Sequence, residues 1–144
     1  MNDLLELNQQ VAKRFNLSEA VVKHLGLIGT SLGKMKAGKE DLEKALSTSA
    51  SNIENLEDFA LNRRYLSYAR LICQAVRYGE FWPLVSLDIS YDTALYLTGL
   101  SESQINTLSK NWDGAIVSCD LPSLIAERIN SKQAVVYAGA LLAA

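Results

Sequence analysis

Histidine occurs once in this sequence, proline twice and cysteine twice. Cys73 and Cys119 are too few to build a disulfide framework, and with His24 alone they cannot supply a structural zinc site of Cys and His ligands. Glycine is also scarce, at 8 of 144 residues. None of it forms a phosphate-cradling loop, and neither a nucleophile elbow nor a metal-ligand spacing occurs. The longest nearly unbroken apolar run, Ala134 to Ala144, is about half of the roughly 20 residues that a membrane span needs. Met1-Asn2-Asp3 has no positive region ahead of an apolar stretch, so no signal peptide is expected. What is present suffices for a core. Apolar residues make up 49% and charged residues 21%, which excludes a disordered chain. A chain of this size buries roughly 68–70% of its unfolded surface. The expectation is a soluble, reduced, cytoplasmic protein with no membrane partner and no cofactor.

Negative charge is scarce in one stretch near the start of the chain. Between Lys13 and Lys39 six basic residues face one acid, Glu19, a net +5. From Glu40 onward thirteen acids oppose eight bases, a net −5, and the whole chain carries −2. A basic N-terminal segment on an acidic body suits an end that touches a polyanion, joined to an assembly platform.

Apolar spacing predicts an all-α chain with at most one short strand. Leu4, Leu5, Leu7, Val11 and Phe15 give a first helix, broken at Asn16-Leu17-Ser18. Ser18 caps a second helix through Leu25. A third is expected from Thr30 to Lys36, closed by Gly38 as a left-handed cap, and a fourth from Asp41 to Leu46. These elements form a small N-terminal helical module, residues 1–46. Residues 47–52 are small and polar and read as a linker. Residues 53–131 form a helical domain, and residues 132–144 an apolar C-terminal tail.

The domain starts with the longest pattern. Ile53, Leu56, Phe59, Leu66, Ala69, Cys73 and Val76 share one stripe, predicting a helix of about 25 residues that ends near Tyr78-Gly79. Phe59, Leu66 and Cys73 recur every seven residues, as do Asn62, Ala69 and Val76, a spacing that suits long helices packing together. Pro83 opens a short helix through Leu87. Ser90 caps a helix from Tyr91 to Thr98 that Gly99 ends. Ser101-Glu102-Ser103-Gln104 is a capping box, starting a helix to Asn111. Asp113-Gly114 is a turn, Ala115 to Cys119 is strand-like, and Asp120-Leu121-Pro122 opens a last helix to Asn130. Cys73 lies on the apolar stripe, no base is placed to activate Cys119, Asp120 suits a helix cap, and Glu57-Asp58 sits on a polar face. No enzyme is expected.

Two resemblances carry a functional expectation. Leu25-Gly26-Leu27-Ile28-Gly29-Thr30-Ser31-Leu32-Gly33-Lys34-Met35-Lys36-Ala37-Gly38 resembles the helix-turn-helix of the Cro and repressor type. Gly26 permits the turn, while Leu25, Leu32 and Met35 pin the second helix on the first. The resemblance implies that Thr30, Ser31, Lys34, Lys36 and Lys39 face DNA bases and phosphates.

The second covers residues 63–129. Tyr65-Leu66-Ser67-Tyr68-Ala69-Arg70-Leu71-Ile72 is similar to the long first helix of the FlhD family, the D subunit of the bacterial flagellar master activator. Trp82 to Ile89 resembles its short aromatic-containing helix, Thr93 to Ser109 its paired short helices, and Ile116 to Leu121 the extended segment that follows. The resemblance implies a helical homodimer, paired through the long helix at Phe59, Leu66, Ala69 and Cys73, that binds a second, C-type subunit. The expected function is a DNA-binding transcriptional regulator, an activator subunit of FlhD type. The alternative is a non-enzymatic helical adaptor or chaperone that binds a protein partner.

Overall fold

The computed structural model describes residues 2–16, 33–35, 37–48 and 56–119. Helices dominate, as the apolar spacing predicts, and no strand occurs among the described residues. The chain forms two compact units, residues 1–33 with 119–144, and residues 34–118.

In the first unit, helix α1 runs Asn2–Arg14. From Glu6 onward its buried positions are Leu7, Asn8, Val11 and Ala12, the one-sided pattern of an amphipathic helix. Lys13 and Arg14 occupy its last turn, where positive charge meets the negative end of the helix. Asn16 ends it in the left-handed region at φ 56°, which Asn tolerates better than most residues. The expected helices from Ser18 to Leu25 and from Asp120 to Asn130, and the tail 132–144, lie outside the described residues.

The second unit is built around α3, Leu56–Cys73, which continues as a tighter turn, Gln74–Tyr78. Short helices α4 (Trp82–Leu87), α5 (Tyr91–Thr98) and α6 (Glu102–Asn111) all pack on this rod. Helix α2, Lys39–Ser47, packs on α5 and α6. Tyr65, Leu66, Ala69 and Cys73 of α3 meet a core that also holds Leu42, Leu87, Leu97, Ile105 and Leu108. The caps follow local chemistry. Ser90 Oγ accepts from Thr93 N, and Ser101 Oγ accepts from Gln104 N while Gln104 Oε1 accepts from Ser101 N. Gly79 closes the long rod at φ 85°, with Glu80 N donating back to the Ala75 carbonyl at 3.1 Å.

Polar side chains fasten the ends of this unit to the rod. Asn62 is fully buried in α3. Its Nδ2 donates to the Gly114 carbonyl at 2.8 Å, and its Oδ1 accepts from Ile116 N at 2.7 Å. Arg70 donates to the Leu100 carbonyl at 3.1 Å and pairs with Glu102, fixing the turn between α5 and α6.

The structure corrects several sequence expectations. The boundary is not at 47–52, because α2 buries Leu42 in the second unit; the chain divides at 33/34 and 118/119. Lys34 and Met35, expected in a helix from Thr30 to Lys36, are extended. Lys34 N donates to the Ser118 carbonyl and Ser118 N to the Lys34 carbonyl, both at 2.8 Å. Gly38 is not a left-handed cap but an extended residue at φ −88° that begins α2, its N–H donating to the Asp41 carboxylate. The strand-like stretch Ala115 to Cys119 makes this single bridge and no strand.

Candidate interaction surface

The residues expected to meet DNA are not gathered on one described surface. Thr30, Ser31 and Lys36 lie outside the described residues. Lys34 points inward and is only 8% exposed. Its Nζ donates to the carbonyls of Val85 and Ser86 at 3.2 and 3.1 Å. These belong to the last turn of α4, whose carbonyls have no partner within the helix, so the cation caps a helix end. Lys34 is thereby corrected from a phosphate-contacting residue to a structural one. Lys39 is exposed, with Nζ 3.7 Å from Glu43 Oε1 on the next turn of α2. The backbone N–H of Lys39 donates to Thr93 Oγ1 at 3.0 Å.

The expected dimer residues are corrected as well. Leu66, Ala69 and Cys73 have no solvent exposure, because α4, α5 and α6 of the same chain cover them. Phe59 is half-buried. Leu56, placed on the same stripe by spacing, is exposed instead. A seven-residue apolar repeat marks a face that is buried, and here the chain itself buries it.

Apart from Leu56 and Leu71 on α3, the exposed large apolar groups among the described residues sit around α4. This helix has only six residues, and Pro83 and Leu87 point into the core with Ser86. At about 100° per residue, Phe81, Trp82 and Val85 fall within one arc of about 100° on the opposite side. Val85 is 75% exposed, Phe81 and Trp82 about half, and Tyr78, just before the turn, 85%. Tyr91, at the start of α5, joins them: its ring centroid lies 6.1 Å from that of Phe81, the two planes tilted by 55°. Phe81, Trp82, Val85 and Tyr91 thus form a ridge facing water, with Tyr78 exposed just ahead of it in the chain. A patch of this kind is atypical of an ordinary surface and typical of interaction sites.

Acidic groups border the ridge. Glu80, Asp88 and Asp92 are all exposed. Arg77, nearby, donates from Nε to Thr98 Oγ1 at 3.0 Å. Next to Tyr91, Asp92 also lines a polar groove of about 540 Å³ with Lys39, Glu40, Asp41, Glu43, Ser90 and Thr93. Burial raises the pKa of Tyr96, and the charge of Glu43 pushes it further the same way. A second groove, of about 430 Å³, lies between α2 and α6 and includes Met35, Lys44, Thr48 and Trp112. Among the described residues no group of three or more His, Cys, Asp or Glu could hold a metal ion, and no helix is long and apolar enough to cross a membrane. Burial raises the Cys73 thiol to about 11, so it is not an activated nucleophile.

No protein-family model, curated protein or solved structure matches the chain.

Sequence reasoning missed the ridge, although a signal was present. Phe81, Trp82, Pro83, Leu84, Val85 and Leu87 are apolar around the whole circumference of a helix too short to be buried on every side. One side had to remain in water or meet another molecule.

Proposed function

We propose that the chain is a non-enzymatic helical adaptor subunit that works by docking another protein, within a transcription-regulating complex of the kind the FlhD resemblance implies. The aromatic ridge on α4 carries this reading. Large apolar side chains held in water by a rigid core are the anchors of protein interfaces. The order of elements supports the FlhD-type setting: a long helix, a short aromatic helix, two short helices across a Ser-capped turn and an extended stretch. The inward Lys34 weighs against its own contact with DNA.

A second reading, a homodimeric activator that grips DNA itself, draws on Lys13 and Arg14, which lie exposed at the end of α1. Gel-shift measurements separate the two. The adaptor reading expects no shift of duplex DNA by the chain alone at low salt. It also expects co-purification of a discrete protein partner from the native host, lost with Val85→Asp. A shift by the chain alone, weakening by roughly 0.9 log unit per log unit of salt for each phosphate contacted and flattened by Lys13→Ala with Arg14→Ala, would transfer the function to direct DNA binding.

A further inference from the structure

We propose that the ridge around α4 and the acidic groove beside it form one docking surface for a basic amphipathic helix of another polypeptide. This rests on the reading of the chain as a docking subunit and adds the chemistry of its partner.

Shape comes first. The exposed arc of Phe81, Trp82 and Val85 is narrow, and α4 is about 9 Å long at 1.5 Å per residue. Such a ridge matches the apolar stripe of one helix, not a broad flat interface. Charge decides what flanks that stripe. The groove that continues from Tyr91 through Asp92 is lined by Glu40, Asp41, Glu43 and Asp92, and by Lys39, whose ammonium lies beside Glu43. Glu80 and Asp88 stand at the two ends of α4. Lysine and arginine side chains flanking an apolar stripe would find carboxylates here and, at the ridge itself, aromatic faces that attract cations.

The same charge argues against other occupants. A second copy using this patch across a two-fold axis would bring like surfaces together, setting acid against acid. Nucleic acid and anionic lipid would be repelled. A basic helix gains on both counts, by covering the apolar ridge and by neutralising its border.

The test uses the full chain and three fluorescein-labelled peptides of about 18 residues, five helical turns. One is an amphipathic leucine–lysine helix. The second carries glutamate in place of lysine. The third is a scrambled leucine–lysine sequence without an apolar face. Fluorescence anisotropy is expected to show binding of the first alone, weakened by salt. Val85→Asp or Trp82→Ala should weaken it at least about tenfold, as loss of an interface anchor does. Glu40→Lys with Asp92→Lys should weaken it about fivefold or more. These side chains are exposed, so circular dichroism should be unchanged.

Equal binding of the glutamate or scrambled peptide, or undiminished binding by Val85→Asp, overturns the proposal. So does self-association, or adsorption to phosphatidylcholine vesicles, that Val85→Asp abolishes. Should no peptide bind while Val85→Asp still removes the native partner, docking stands and the basic-helix chemistry falls. If that substitution affects neither, the docking reading falls with it.

Discussion

Cys73 and Cys119 show how much position alone decides about a residue. Neither thiol is in a disulfide, but Cys73 is sealed in the core and Cys119 is half-exposed. In the native protein a disulfide-exchange reagent at pH 8 should titrate Cys119 alone, and in urea both. Titration of two thiols without denaturant would contradict the packing of α3. Burial also gives Cys73 a pH signature. The thiol ordinarily titrates at 9.0 and here at about 11. Below pH 9 folded and unfolded chains are both protonated, so the stability this group contributes is fully present. As pH rises from 9 towards 11 the unfolded chain releases its proton first, and stability falls. Tyr68, also raised by burial, acts in the same direction at higher pH. Urea midpoints measured between pH 8 and 10.5 should therefore decline, with a shallower decline in Cys73→Ala.

Elements were legible in the sequence wherever a local rule settles them. Ser90, Ser101 with Gln104, Pro83 and Gly79 start or stop their helices as their chemistry dictates, because each acts within one turn. At this scale Ser101→Ala should remove the Oγ acceptor of the capping box and lower stability by about 1 kcal/mol, read from urea unfolding. An unchanged midpoint would mean that the box is not formed in solution. Pairings distant in sequence were not legible. Nothing near Lys34 announces that its backbone pairs with Ser118, 84 residues away, or that its ammonium caps α4. Leu66, Ala69 and Cys73 were legible as a buried face but not as to what buries them. Intramolecular and intermolecular seams share one periodicity. The docking ridge escaped notice because short helices have too few residues to display a face.

At the scale of the whole molecule, the second unit is a closed loop of chain. Its first and last residues, Lys34 and Ser118, exchange two backbone hydrogen bonds, and Asn62 secures the outgoing segment. Its core lies within the span 34–118. A fragment of residues 34–118 should then fold alone, giving a helical circular dichroism spectrum and a single cooperative urea transition. A fragment without such a transition would show that the second unit depends on the remaining chain.

The bridged ends of this unit also set an order of events during synthesis. The other unit draws on both residues 1–33 and residues 119–144, so it has no complete set of parts until residues 119–144 have been made. The unit 34–118 draws on no residue beyond Ser118. Helices α2 to α6 therefore need nothing made after Ser118 in order to assemble, and closure of the Lys34–Ser118 bridge brings the start of the later half to the residue where the leading segment stops.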